Sequence, residues 1–143
     1  MKALSVVGYL VMAGSLVGLI AIKSLFSPSP FVITVQFVAL TLITWARVTF
    51  GRRSFHPAAN PTEGGLVTTG PYRFIRHPIY TAVCLFVTAG TAAHLSLPAI
   101  LLCVLIWASS FARMLCEEQL LRVRYPEYRK YAASTARMIP LVF

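Results

Sequence analysis

Four long apolar stretches, separated by turn signals and charge, leave this chain little choice of solvent. A bilayer core about 30 Å thick is crossed by roughly 20 apolar residues in a helix, so each stretch can be judged by its length. Residues 3–25 pass that test with only Lys2 charged ahead of them. The stretch is longer than the roughly 7–15 apolar residues of a secretory leader and reads as a retained span. The "SPSP" of residues 27–30 then breaks the helix, because proline lacks a backbone donor and biases its predecessor away from the α region. Residues 31–50 form the second span, near whose end Trp45 and Arg47 suit a headgroup boundary. A loop containing Arg52, Arg53, His56 and Asn60 among glycines and prolines follows. Residues 79–95 and 98–115, joined through "HLSLP", supply spans three and four, the third being the short one. Beyond Cys116, "EEQLLRVRYPEYRKY" is charged and amphipathic and reads as an interfacial or cytosolic helix pair split at Pro126.

Composition agrees with that solvent. The chain is 57% hydrophobic and 12% charged, against about a quarter charged in soluble domains. Its net charge of +9 would first suggest nucleic acid in a soluble protein. In a chain of apolar spans the same surplus marks cytoplasmic loops and contact with anionic lipid headgroups, and no nucleic-acid partner is expected. Twelve of the thirteen Lys and Arg residues fall before span one, between spans two and three, or at and after the end of span four, with only Lys23 on the other side. By the positive-inside rule both termini are cytoplasmic. The expectation is therefore an all-α integral membrane protein with four transmembrane helices plus C-terminal amphipathic helices, one domain over residues 1–143. Cys84, Cys103 and Cys116 lie in or at the end of apolar runs and show no CxxC, so they read as packing residues.

Two polar clusters share the cytoplasmic face in this topology: "GPYRFIRHPIY" at 70–80 and "RMLCEEQ" at 113–119. Arg113 and Glu117 are four apart, hence on one helical face, where they can pair or hold a ligand between them. Glu118 points about 100° away from Glu117, so Glu117 is the better partner for Arg113. An ordinary boundary salt bridge would look the same. His77 could be a hydrogen-bonded structural residue, and Tyr72, Phe74 and Tyr80 could be interfacial belt aromatics. His56, His77 and His94 have no metal-ligand spacing, and no metal is expected. Gly64, Gly65 and Gly70 could admit a ligand close to backbone, but they form no GxGxxG turn between strand and helix, and the chain has no room for a Rossmann domain.

"LVTTGPYRFIRHPIY" at 66–80, followed by "EEQLLRVRYPEYRKY" at 117–131 and "RMIP" at 137–140, resembles the isoprenylcysteine carboxyl methyltransferase family and its phospholipid methyltransferase relatives. The likeness covers roughly residues 63–143. It implies a methyltransferase dependent on S-adenosylmethionine, yielding S-adenosylhomocysteine, with a non-Rossmann cofactor site at the cytoplasmic ends of membrane helices. Carried over, the cofactor contacts fall at Gly64, Gly65, Leu66 and Val67, at Tyr72, at His77, Pro78, Ile79 and Tyr80, and at Glu117. Arg113 matches the arginine associated with the acceptor carboxylate, and Arg76 and Glu118 join it as candidate catalytic residues.

The chemistry is consistent with that assignment. A sulfonium donor with an amino-acid tail needs a carboxylate for its ammonium, donors for its carboxylate and a flat slot for adenine, which Glu117, Arg76 or His77, and Tyr72 could supply. Methyl transfer is an in-line displacement that rests on approach geometry and a water-poor site. Arginine suits a carboxylate acceptor, whereas an amine would ask Glu117 or Glu118 to take a proton. A lipid or lipidated acceptor could reach the site between helices, and a carboxylate as in isoprenylcysteine methylation is the leading expectation. Phospholipid amine methylation, a sterol-reductase-like enzyme using NADPH, and a non-catalytic lipid-binding module are the alternatives. Ala82 stands where the family commonly has glycine.

Overall fold

The computed structural model describes residues 2–51 and 65–140. Its helices are α1 (Lys2–Ala21), α2 (Pro30–Phe50), α3 (Pro78–Ala93), α4 (Leu97–Arg124) and α5 (Tyr128–Ser134), with a 3₁₀ turn at Gly70–Arg73 before α3. Residues Ala3–Ala21 of α1, and α2 and α4, are each long and apolar enough to cross a membrane. The 16-residue α3 is apolar but shorter, about 24 Å at the helical rise. The chain is an all-α, multi-pass membrane protein.

Two boundaries differ from the hydropathy pattern. The first apolar run continues to residue 25, yet its helix stops at Ala21. Lys23 adopts a left-handed φ of 55°, Lys23 N–H donates to the Ile20 carbonyl and Ser24 N–H to that of Leu19. These two bonds are the Schellman stop, which satisfies carbonyls that the helix end would orphan. Leu25 then turns inward and packs with Leu19, Val87 and Ile106. At the other boundary α4 runs unbroken to Arg124, past the expected end near residue 115, so its charged tail is the first half of the expected C-terminal pair. Residues 116–124 contain neither glycine nor proline, and a change of polarity alone gives a helix no reason to end.

The helices form an antiparallel bundle in which α1 packs on α4, α4 on α3, and α3 on α2. Its interior uses small and polar residues. Ala39 and Ala46 of α2 are fully buried, as are Ser5 and Ser110, while Phe31, Phe37 and Val48 of α2 face outward. Without water to drive helices together, close backbone approach and internal hydrogen bonds hold a membrane bundle. At the end remote from the polar clusters, Gln36 Nε2 donates 2.7 Å to the Leu25 carbonyl, and His94 Nε2 lies 2.7 Å from the Phe26 carbonyl. The α1–α2 connection is thereby pinned to α2 and to the end of α3.

Gly90 is the point of closest approach there, since an added Cβ would overlap the backbone carbonyl of Leu25. Gly90→Ala is expected to lower stability in detergent by about 2 kcal/mol, because backbone rather than a flexible side chain must yield. Gly14→Ala, with nothing within 4 Å of the new methyl, is expected to be neutral or stabilising by up to about 1 kcal/mol. Thermal unfolding of the two variants side by side checks this.

Candidate functional site

The approach to α3 is built by local backbone rules. Gly70 has φ 57°, and a Cβ there would sit 2.5 Å from Thr49 Oγ1, so only glycine lets this turn lie against the end of α2. Pro71 opens the 3₁₀ turn, in which Tyr72 N–H donates to Thr69 O at 3.1 Å. The chain next pairs with its own C-terminal segment through a parallel bridge between Ile75 and Ala136. Arg76 N–H donates to Ala136 O at 2.8 Å and His77 N–H to Arg137 O at 3.0 Å. Pro78 starts α3, where its missing donor costs nothing. Thr81 Oγ1 donates to His77 O and lies 3.0 Å from Met138 O. Residues 76–80 are thus held from behind by "RMIP" and face α4.

On α4 the tandem glutamates divide the work. Glu118 is 2% exposed. Arg76 Nε donates to it at 3.0 Å, Arg137 Nε at 3.3 Å, and His77 Nε2 lies 3.4 Å away. Arg76 Nη1 also donates to the carbonyls of Ala132 and Thr135. One carboxylate therefore joins α4, the residues before α3 and the C-terminal segment. Arg122, one turn on, reaches it at 3.6 Å from a half-exposed position.

Glu117 faces a second cluster and remains partly open, its side chain 26% exposed. It accepts a 2.5 Å hydrogen bond from Tyr80, has Arg113 Nη2 at 3.6 Å and has His77 Nδ1 at 3.8 Å. Arg113 Nε donates to the Tyr80 hydroxyl at 2.8 Å and its Nη1 to the Ser5 carbonyl of α1 at 2.6 Å. Tyr80, Arg113 and His77 are all buried. Glu117 is thus the accessible anion at the rim of an enclosed set of donors. Tyr72 stands behind it, its ring 5.6 Å from that of Phe50. Burial raises the Tyr72 phenol above its ordinary value and the negative charge of Glu117 adds to the rise. Burial pushes the Tyr131 phenol up to about 12 against the opposing pull of Arg76. Tyr131 stays protonated and donates 2.6 Å to the Tyr72 carbonyl.

The structure brings Tyr72, Arg76, His77, Tyr80, Arg113, Glu117 and Glu118 to one end of the bundle. Pro78 is buried and Ile79 half-buried on the first turn of α3. Leu66 and Val67 are half-buried on the approach, and Gly65 is exposed. Gly64 lies outside the described residues. Ala82 is fully buried. His94 sits at the opposite end, and among the described residues no group of three His, Cys or carboxylate side chains gathers as metal ligands would. Ser5, Tyr131 and Arg137 had no place among the expected site residues. "RMIP" signalled that the segment carrying Arg137 matters, but nothing in the α1 sequence points to Arg113.

The division between the glutamates has a measurable consequence. Removing one partner of a buried pair leaves the other charge uncompensated, at about 3–5 kcal/mol. Glu118→Ala is expected to cost about 3 kcal/mol in thermal unfolding, whereas Arg122→Ala, removing a half-exposed partner, costs less than about 1 kcal/mol.

Residues 33–128 match the family model described as phospholipid methyltransferase. No curated protein and no solved structure gives a match. The chain belongs to the phospholipid methyltransferase family, a family of membrane methyltransferases.

Proposed function

We propose that this membrane methyltransferase uses S-adenosylmethionine to methylate a lipidic acceptor presented from the bilayer, and that the accepting group is an amine. The observation that carries the reading is Glu117, a carboxylate left 26% exposed while Tyr80, Arg113 and His77 beside it are buried. Such a position suits the ammonium of an amino-acid tail, since a charge-assisted hydrogen bond at a water-poor rim is stronger than a neutral one. Tyr80 and Arg113 hold Glu117 in place, and Tyr72 offers an apolar wall beside it. The family resemblance assigns the backbone of residues 65–67 to the same methyl donor, while the His77 ring lies between Glu117 and Glu118. Arg76, engaged by Glu118 and two carbonyls, acts as a positioning residue, as does Glu118 itself.

When bound, S-adenosylmethionine supplies an electrophilic methyl group, which passes to the acceptor lone pair while the sulfur keeps the bonding electrons. The protein orients the reactants and limits water. Arg113 favours an amine over a carboxylate acceptor. Its guanidinium already donates to Tyr80 and Ser5 and pairs with Glu117, so an incoming carboxylate would compete with buried partners. The acceptor amine reacts as its neutral form, its proton passing to solvent before attack, and Glu117 remains committed to the ammonium of the donor's tail. The basic residues Arg73, Arg122, Arg124, Arg129 and Lys130 are exposed at this end, which supports a cytoplasmic site facing anionic headgroups.

Calorimetry with S-adenosylmethionine on the purified protein in detergent tests the site. The wild type is expected to bind, and Glu117→Gln to bind about 10- to 100-fold more weakly, the worth of one hydrogen bond to a charged group. Unchanged affinity in Glu117→Gln, or binding of NADPH in place of the methyl donor, would contradict the proposal.

A further inference from the structure

The family match begins at residue 33, so α1 lies wholly outside it, yet α1 touches the most enclosed cation of the site. Arg113 is 5% exposed, and its side chain runs along α1 rather than into solvent. Gly8 makes this possible: an added Cβ would stand 3.0 Å from Arg113 Cγ and 3.4 Å from the Ser109 carbonyl. One turn toward the N-terminus, the Ser5 carbonyl takes the 2.6 Å bond from Arg113 Nη1. On the other side, the Tyr9 ring centroid lies 5.4 Å from the guanidinium carbon, and the Tyr80 ring lies 5.9 Å from it. Notch, carbonyl and ring fall within one and a half turns of α1 and act on one side chain.

We infer that α1 is a positioning element of the reaction site: Ser5, Gly8 and Tyr9 fix the Arg113 guanidinium, and through it the Tyr80–Glu117 pair. This rests on the reading of that cluster as the methyl-transfer site. Helix packing alone accounts poorly for the arrangement, because the same α1–α4 interface contains a second notch without polar consequence. At Gly18 an added Cβ would meet only the flexible end of Leu102, at 3.0 Å. An added Cβ comes within 3.0 Å of a neighbour at both glycines, but at Gly8 it meets Arg113 and the Ser109 backbone carbonyl and at Gly18 only a leucine end.

Gly8→Ala and Gly18→Ala therefore form a matched pair. In detergent–lipid micelles, with S-adenosylmethionine as donor and phosphatidylethanolamine as the acceptor probe, kcat and donor affinity are measured for each along with thermal stability. Gly8→Ala is expected to lower kcat about tenfold, since small displacements of positioning groups are costly. Donor affinity is expected to fall about three- to tenfold with it, because Glu117, held through Arg113 and Tyr80, binds the donor ammonium, and Gly18→Ala is expected to match wild type in both. Tyr9→Leu removes the ring from a residue 41% exposed and is expected to lower kcat about two- to fivefold, in keeping with a cation–π contact near a surface. Equal losses in Gly8→Ala and Gly18→Ala, or a loss in Gly8→Ala no larger than its fall in thermal stability accounts for, would reduce α1 to packing and overturn the inference. Folded wild type that neither binds the donor nor transfers its methyl would overturn the site reading, and this inference with it. Donor binding with transfer in all three variants at wild-type rate would overturn the inference alone.

Discussion

The carboxylate of Glu118 is the interaction on which the site depends. Three segments distant in sequence meet at it: the tail of α4, the residues leading into α3 through Arg76 and His77, and the C-terminal segment through Arg137. A buried carboxylate is expensive to desolvate and is tolerated only with good partners. Here the partners come from different segments, so satisfying the charge and assembling this end of the bundle are one event. Arg76 extends the junction to the carbonyls of Ala132 and Thr135. Fixed in this way, the same turn of α4 presents Glu117 toward Tyr80 and Arg113.

Two adjacent residues of one type thus do different jobs because a helix turns about 100° between them. Glu118 faces inward and is consumed by structure. Glu117 faces a rim and keeps part of its surface. The burial of Tyr80, Arg113 and His77 around it limits water and keeps its donors in place before any ligand arrives, the preorganisation that transfer chemistry requires. The outer faces of α1, α2 and α4 are apolar, with Leu10, Phe37 and Leu101 among their exposed side chains.

Much of this was legible in the sequence. Apolar length located the helices, "RHPIY" and the tandem glutamates marked the two polar clusters, and i,i+4 spacing paired Arg113 with Glu117. Apolar length and helix length differ at two ends because hydropathy measures solvent preference and not backbone conformation: α1 stops at Ala21 ahead of the left-handed Lys23 although Ile22 and Leu25 are still apolar, and the charged tail of α4 is still a good helix. Arg76 and Glu118 stand as candidate catalytic residues in the sequence, Arg76 from its place in the motif and Glu118 as a carboxylate able to take a proton, and the structure adds that the two are paired. The Arg76–Glu118 pair spans 42 residues and the Glu118–Arg137 pair 19, separations that no local spacing encodes. The same limit hid Ser5 and Gly8, whose importance lies in what α4 lays over them.

The central claim is that this bundle moves a methyl group from S-adenosylmethionine to a lipid. The most direct measurement incubates membranes containing the protein with methyl-radiolabelled S-adenosylmethionine and follows label into the lipid extract. The account predicts alkali-stable label on an amine-bearing lipid, reduced about 10- to 100-fold at sub-saturating donor in membranes carrying Glu117→Gln. Alkali-labile label would place the methyl on a carboxylate and contradict the proposed acceptor, while no label from folded wild-type protein supplied with lipid acceptors would contradict the methyl-transfer account itself.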